Sequence, residues 1–513
     1  MAGRVVQRGV PPEPELQSRK RAWMRAHSTG PMPSNVDWID QLPAPDRAEF
    51  DGRVRRKPTR SLSGVAIVAV MTAPAACPHG RCTYCPGGLA LGTPQSYTGE
   101  EPSALRGAQF GWDARAITAH RIQTLDTLGH PTSKVEAIVM GGTFTARPPS
   151  YQESVLRGIY DGLNGVTSPS LTEAQHANET AEHRLVSLTV ETRPDGCTPG
   201  DLPRLLAGGV TRVEIGVECL HDDVLDRVNR AHSTDDVRVA TRTLRDFGLK
   251  VAYHLMPGLP GMDSERDLAD LRAVFDDPAF RPDMVKLYPT LVLPNTPLYD
   301  EWKAGRYTPY DTETAVALLA RAKAEFPPWV RVQRIQRDIP ARLIAAGVRP
   351  GNLRELVHRR MEAEGARCRC LRCREPGRRA TPAPDAFEPC ESRYEAAGGE
   401  ERFFSLEDPA TDTVAGFLRL RIPGDGTPGG LDAPVIRELK VLGTEVAVGR
   451  AAAGDGALQH RGFGRALVGQ AEAVAREAGF RRIFVTSAVG TREYYRRLGY
   501  EPAGSHLAKP LFP

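Results

Sequence analysis

The sequence predicts an α/β chain of two modules, a partial or full parallel (β/α) barrel followed by a smaller α+β domain, with a metal-held linker between them. Three observations predict it. Seven short runs rich in Val and Ile alternate with amphipathic stretches from Gly64 to about Gly351. A segment dense in Cys, Arg and Pro, Arg367 to Pro389, then breaks the pattern. C-terminal to that segment the chain reads as consecutive antiparallel strands leading into a helix with glycines at its start. At 513 residues the chain exceeds what one core supports, so two or three domains are expected.

Taken in order, the strand candidates of the first module are "GVAIVAVM", "KVEAIVMGG", "LVSLTVE", "TRVEIGVE", "KVAYHLM", "DMVKLYP" and "RVQRI". Their nearly continuous apolar character suits parallel strands buried on both faces. Between them, Asp113 to Gly129 and Thr234 to Gly248 read as helices, the second closed by a glycine. Repeated βα units place chemistry at the C-terminal ends of the strands. Beyond the linker, "RFFSLED", "TVAGFLRLRI", "PVIRELKVLG" and "TEVAVGR" read as antiparallel strands, then a helix from Gly462 to Gly479, a strand "RRIFVTS" and a short helix "TREYYRRLGY". The expected divisions are 1–63, a basic N-terminal segment; 64–350, the barrel; 351–395, the linker; and 396–513, the second domain. No internal repeat is present.

Hydrophobic content of 41% and charged content of 25% are ordinary for a soluble globular protein. The longest strongly apolar run, Val65 to Met71, is far short of a bilayer span, and the N-terminus has no signal-peptide core, so a cytoplasmic protein without membrane partners is expected. Six of the nine cysteines fall in two tight clusters, which favours metal ligation in a reducing compartment over disulfides. The other three, Cys197, Cys219 and Cys390, read as small apolar residues. Net charge is +4, yet residues 1–60 and 351–380 each carry +5 and the remainder −6. Two basic patches suit a polyanion such as nucleic acid, against the alternative of solvated Arg/Lys faces.

The first cluster, "CPHGRCTYC", spaces Cys77, Cys82 and Cys85 as C-x4-C-x2-C directly after the first strand. Three thiolates are one short of a closed zinc site, whereas an iron–sulfur cubane held by three leaves one iron open; by spacing alone a zinc knuckle stays possible. The motif, with Tyr84 before its last cysteine, resembles the radical S-adenosylmethionine superfamily in a widened variant. "MGGTF" resembles that family's glycine-rich segment for the methionine end of the cofactor, with Gly141, Gly142 and Thr143 in contact, since only backbone without Cβ approaches a ligand so closely. The resemblance implies that S-adenosylmethionine supplies the missing ligand to a 4Fe-4S cluster and is cleaved to a 5′-deoxyadenosyl radical.

In the second domain, "QHRGFGRALV" sets Gln459, Arg461, Gly462, Phe463, Gly464 and Arg465 at a helix start, where free amides attract a pyrophosphate. With its flanking strands it resembles the GNAT acetyltransferase fold, which implies acetyl-CoA held there and along Glu438, Leu439, Lys440 and Val441. Tyr494 and Tyr495 match the late-helix tyrosine that protonates a departing thiolate in that family. Adjacent residues point in different directions, so one of the two suits aromatic packing instead.

Both modules on one chain, with "ETRPD" at Glu191, "KLYPT" at Lys286 and "VQRIQRDIP" at Val332, closely resemble the Elongator catalytic subunit family, the tRNA wobble-uridine carboxymethyl synthases, including prokaryotic single-subunit forms. The resemblance runs from about Lys57 to the C-terminus. It implies that the radical takes hydrogen from the acetyl methyl and that the resulting carbon adds to C5 of uridine 34. It implies further that Lys134 serves acetyl-CoA use, that Glu191 lies among the cofactor residues, and that Cys368, Cys370 and Cys373 hold a structural zinc, with Cys390 and His358 both open as fourth ligand. The basic N-terminal segment, with "GRVRRKPTR" at Gly52 to Arg60, would bind the anticodon stem-loop of tRNA through its phosphates while a flipped uridine enters the barrel. The resemblance leaves room for a homodimer and requires an electron donor. Two departures stand out: "RELKVLG", with Lys440 and Leu442, where many relatives read "RELHVYG", and Glu218 where glutamine is common. A lysine acetyltransferase with a degenerate radical half, or a non-catalytic tRNA-binding protein, are the competing expectations. No general base stands out.

Overall fold

The computed structural model describes residues 63–378, 382–443, 445–446 and 458–512, with residues 18, 22, 25 and 26 ahead of them. The basic segment assigned to 1–63, including "GRVRRKPTR", otherwise lies outside the described residues, as does most of "TEVAVGR".

All seven runs of the first module are strands: β1 (Ala66–Met71), β2 (Lys134–Met140), β3 (Arg184–Thr192), β4 (Arg212–Glu218), β5 (Lys250–Leu255), β6 (Met284–Leu287) and β7 (Arg331–Arg334). They pair in chain order, each neighbour parallel. A parallel sheet in sequential order is built from crossovers of one hand and curls. Among the described residues β7 does not pair with β1, so the sheet is an open half-barrel rather than a closed one. Local chemistry sets the helices between strands. Asp113 accepts the Ala116 N–H at 2.7 Å to start helix Ala114–Thr127, and a Ser233/Asp236 capping box starts helix Thr234–Asp246.

The expectation of strands apolar on both faces holds for only one face. Val135, Ala137 and Val139, Val213, Ile215 and Val217, and Val251, Tyr253 and Leu255 join the helices in one core. On the other face charged residues recur. Arg212 Nη1 on β4 lies 2.6 Å from Glu136 Oε1 on β2, and Lys286 Nζ on β6 lies 3.4 Å from Glu191 Oε1 on β3. Pairs between strands that are not neighbours require a concave polar interior.

The second sheet is built from β8 (Glu388–Ala396), β9 (Gly399–Asp408), β10 (Thr413–Ile422), β11 (Val435–Val441), β12 (Arg482–Val485), β13 (Glu501–Ala503) and β14 (His506–Pro510). Their order across the sheet is β13-β14-β12-β11-β10-β9-β8, all antiparallel except the β11/β12 pair. Helix Phe463–Glu477 covers it with Leu467, Val468, Ala471 and Ala475. Glu445 and Val446, the described part of "TEVAVGR" past its first residue, are not in a strand. β8 starts inside the segment read as linker, and Cys390 on it is exposed rather than packed as a small apolar residue. Cys197 and Cys219 are buried as expected.

This sheet seals the N-terminal end of the half-barrel. Arg437 Nη2 lies 2.7 Å from Asp283 Oδ1 and 2.6 Å from Glu401 Oε2; Arg245 Nη1 lies 2.7 Å from Glu401 Oε1, and Arg421 Nη2 2.6 Å from Asp246 Oδ1. All these side chains are buried. Separating one partner from such a pair costs about 3–5 kcal/mol, so the network fixes the two domains against each other. No helix among the described residues is long and apolar enough to cross a membrane.

Candidate functional site

The C-terminal ends of the strands open into a cleft. Its floor and walls include Cys77, Gly142, Thr143, Glu191, Glu218, Arg230, His254 and Arg337. The cysteine loop after β1 is pinned by two other segments: Thr83 N donates to Val228 O at 3.0 Å and Asn229 Nδ2 to Arg81 O at 2.8 Å, while Leu298 N donates to Thr83 O at 3.0 Å. Cys82 and Cys85 are buried; Cys77 is partly exposed at the cleft. The Ser96 amide donates to Cys85 Sγ at 3.2 Å, His79 Nε2 lies 3.2 Å from Cys82 Sγ, and Arg230 Nη1 lies 3.8 Å from the same sulfur. Burial raises the Cys82 thiol above its usual range, while the Arg230 guanidinium beside it works the other way and favours the thiolate. Burial, then Arg193 and Arg230, push His79 down to about 4, which keeps its ring neutral beside Cys82.

These three sulfurs do not form a set within 4.8 Å of one another, whereas Cys368, Cys370 and Cys373 do. One tetrahedral zinc draws its thiolates to about 4 Å apart at Zn–S distances near 2.3 Å. The first triplet is therefore spread more widely than one such ion draws its ligands. Opposite Cys77, β2 ends in Gly141 (φ +125°) and Gly142 (φ +101°), conformations that L side chains rarely adopt. A Cβ on Gly141 would stand 2.3 Å from Thr72 Oγ1, and one on Gly142 would enter the space 4.0 Å from Cys77 Sγ. Thr143 Oγ1 lies 3.6 Å from that sulfur. Thiols, bare backbone and cleft fit a 4Fe-4S cluster with S-adenosylmethionine beside it.

Below the cleft sits a charged floor. Tyr97 donates its hydroxyl to Glu191 Oε2 at 3.1 Å, and Lys286 bridges Glu191 and Glu214. His254 Nε2 lies 2.9 Å from Glu214 Oε2. Burial opposes both charges, but Lys286 holds the Glu214 carboxyl below its usual range and Glu214 holds the Lys286 ammonium above its own. Glu218, at φ +69° where β4 and β5 shift register, pairs with Arg230 at 3.2 Å.

At the opposite end of β2, Lys134 leaves the barrel for the second domain. Its Nζ donates to Gln459 Oε1 at 2.8 Å and lies 3.2 Å from His460 Nε2, while Gln459 Nε2 reaches Val441 O at 3.1 Å. Burial lowers the Lys134 pKa to about 8, with Glu445 opposing. Helix Phe463–Glu477 starts from Gly462 in the left-handed region with no side-chain cap, so its first amides keep their capacity for an anion. β11 and β12 pair at Val435–Phe484 and Ile436–Val485, and among the described residues Glu438–Val441 has no strand partner on that edge. The side chains of this stretch divide: Glu438 accepts from Arg419 Nε at 2.9 Å and Lys440 Nζ lies 3.5 Å from Glu136 Oε2, toward the barrel, while Leu439 packs on the second core. The two tyrosines divide as well. A Cβ on Gly464 would lie 2.8 Å from the Tyr494 hydroxyl, placing that phenol over the helix start; Tyr495 is buried against Tyr494 and Tyr500. Burial raises both pKa values, so each stays a neutral donor.

The third site lies between the domains. Cys368, Cys370 and Cys373 are buried, with His358 Nε2 3.6 Å and Lys323 Nζ 3.8 Å from Cys373 Sγ. Cys390 is exposed on β8 and outside the set, whereas His358 is within reach of it. Sequence reasoning missed His79, Ser96, Arg230, Glu214 and His254. Three charged residues, Arg212, Glu214 and Glu218, on alternate positions of "RVEIGVE" were the available signal for the polar floor.

Comparison with known proteins agrees with this layout. The Radical SAM superfamily matches residues 73–272, the Radical_SAM C-terminal domain 282–363, and the Acetyltransferase (GNAT) family 370–500. The chain is 44% identical over 508 residues to tRNA uridine(34) acetyltransferase of Methanocaldococcus jannaschii, covering 97% of this chain and 94% of that protein. It is 41% identical over 514 residues to Elongator complex protein 3 of Homo sapiens, covering 97% and 93%. A solved structure of Methanocaldococcus infernus Elp3 with an N-terminal deletion superposes with a TM-score of 0.77 at 42% identity, covering 88% of this chain and all of that one.

Proposed function

The chain belongs to the family of tRNA uridine(34) acetyltransferase and Elongator complex protein 3, and from that premise we propose that it is a tRNA uridine(34) carboxymethyl synthase. The observation that carries this reading is the placement of two unlike sites at the two ends of one strand. Gly141 and Gly142 close β2 at the cleft, and Lys134 opens it at the second domain. Cys77, Cys82 and Cys85 would hold the 4Fe-4S cluster, and Gly141, Gly142, Thr143 and Glu191 the S-adenosylmethionine. When bound, that pair supplies a radical able to take hydrogen from the methyl of an acetyl group. Arg334 and Arg337 around the cleft would receive the phosphates flanking the flipped uridine, aided by the basic N-terminal segment.

Gln459, Arg461, Gly462, Phe463, Gly464 and Arg465 would hold acetyl-CoA against the edge of Glu438–Val441. Tyr494 would protonate the departing thiolate, and Tyr495 would hold Tyr494 in position by its ring. The Lys134 ammonium would steer the acetyl oxygen. Cys368, Cys370 and Cys373, with His358, would clamp zinc where the domains meet.

The test is direct. Protein with reconstituted cluster is incubated anaerobically with S-adenosylmethionine, acetyl-CoA, a reductant and tRNA, and the digested nucleosides are read by mass spectrometry. Carboxymethyl adduct at the wobble uridine is expected; its absence while 5′-deoxyadenosine still forms refutes the reading.

A further inference from the structure

Barrels of parallel strands ordinarily fill their interior with branched apolar side chains. Here one chain of charged contacts runs the length of the interior. Lys440 Nζ lies 3.5 Å from Glu136 Oε2, Arg212 Nη1 2.6 Å from Glu136 Oε1, and Arg212 Nε 3.4 Å from Glu214 Oε1. Lys286 then pairs with Glu214 and with Glu191, which faces the cleft. The lower end of this chain is β11, beside Gln459 and Lys134; the upper end is the floor under Cys77.

The same interior has polar capacity to spare. Thr189 Oγ1 and Arg331 Nη1 are buried yet make no hydrogen bond, and Arg212 Nε and Glu214 Oε1, 3.4 Å apart as an ion pair, make none either. Each such atom costs about 1–3 kcal/mol if left dry. Several together in one polar interior imply water or an oxygen-bearing ligand among them. Burial works to raise the Glu136 pKa, but Arg212, Lys440 and Arg331 override it, so the cations that line the interior are already shared with carboxylates. β2 spans about 20 Å between its ends. The buried ion pairs around Asp283 and Glu401 prevent the domains from parting to shorten that distance.

Resting on the function proposed above, we propose that the charged interior of the half-barrel is a passage for a small carboxylate, carrying acetate from the acetyl-CoA end to the radical cleft without release to solvent. Water adds to the acyl carbon, the C–S bond breaks, the sulfur leaves with one of the water's protons as the free thiol of coenzyme A, and the other proton passes to solvent as acetate forms. The acetate then exchanges partners along Lys440, Arg212 and Lys286. Transit itself moves no electrons.

The deciding experiment supplies [2-13C]acetyl-CoA together with excess unlabelled acetate to the loaded full-length enzyme and tRNA. Undiluted label in the carboxymethyl nucleoside is expected; dilution that follows the added acetate overturns the passage, whereas no carboxymethyl nucleoside at all overturns the function reading instead. A steric test uses Ala252, which is fully buried, lies in register with Glu214 and Met284, and is outside the apolar core. Ala252→Leu plugs the interior, so thiol release from acetyl-CoA should persist while carboxymethyl product falls about tenfold or more; unchanged product overturns the proposal. Saturation-transfer NMR with acetate and the cofactor-free protein adds a readout independent of turnover. A signal in wild type that Ala252→Leu removes is expected, and no signal in wild type counts against the passage. Should Ala252→Leu fail to fold, the isotope test on wild type still decides.

Discussion

The two cysteine triplets use the same residue three times over, yet the fold treats them in opposite ways. Cys368, Cys370 and Cys373 converge within 4.8 Å, all buried, with His358 beside them. Cys77, Cys82 and Cys85 stay further apart, with one sulfur open to a cleft and bare glycine backbone facing it. Convergence and burial suit one small ion that ties chain together. Spread and an open side suit a larger cluster that must meet a substrate. The lesson is that what a thiol set holds is set by sulfur separation and access, which the spacing of cysteines in the sequence constrains only loosely.

The largest expected effect tests that contrast at its centre. Cys82→Ala should abolish iron–sulfide content and lower 5′-deoxyadenosine formation by about a hundredfold or more, with zinc content and melting temperature unchanged. Loss of zinc as well would mean that the triplets are not independent. Cys370→Ser should do the reverse: metal analysis shows zinc lost and the melting temperature falls by about 10 °C, because a core-poor segment loses its clamp. Cys390→Ser, on the exposed face of β8, should change neither.

Smaller effects separate the two ends of β2. Gly142→Ala, at φ +101° and with its Cβ 3.2 Å from Gln95 Cβ, should weaken S-adenosylmethionine binding about tenfold by calorimetry while acetyl-CoA binding is retained. At the other end, the Lys134 pKa of about 8 sets a pH limit. Its ammonium is lost as pH rises through 8, so acetyl-CoA turnover should decline on that limb, and Lys134→Arg should move the decline to higher pH. Folding stability moves the other way. The unfolded chain holds this proton up to about 10.5, so between pH 8 and 10.5 this group makes stability rise with pH. Tyr494→Phe should slow thiol release about tenfold, and Tyr495→Phe less, as read by thiol titration.

Much of this layout is legible in the chain. Each of the seven first-module strands is announced by a Val/Ile-rich run, because burying the outer face against helices demands one. The glycines of "MGGTF" and "RGFGR" are similarly legible, since close backbone approach has no other residue to use. The short or solvent-facing strands β8, β13 and β14 carry no such run. The polar floor was harder. Glu136 and Lys286 each read as a charge inside an apolar run, the alternation around Glu214 names no partner, and the partners come from strands distant along the chain.

What the sequence determines by itself is the order of the elements, the two cysteine clusters and the pairing of two enzymatic modules, all of which arise from local pattern and short-range spacing. Tertiary structure alone decides which of two adjacent tyrosines faces the helix start, which thiols converge, and that one end of β2 meets the second domain while the other meets the cleft. Those outcomes depend on the curl of the sheet and the angle of strand against strand. Such angles come from the sum of many packing contacts distant along the chain, and no short stretch of residues contains them.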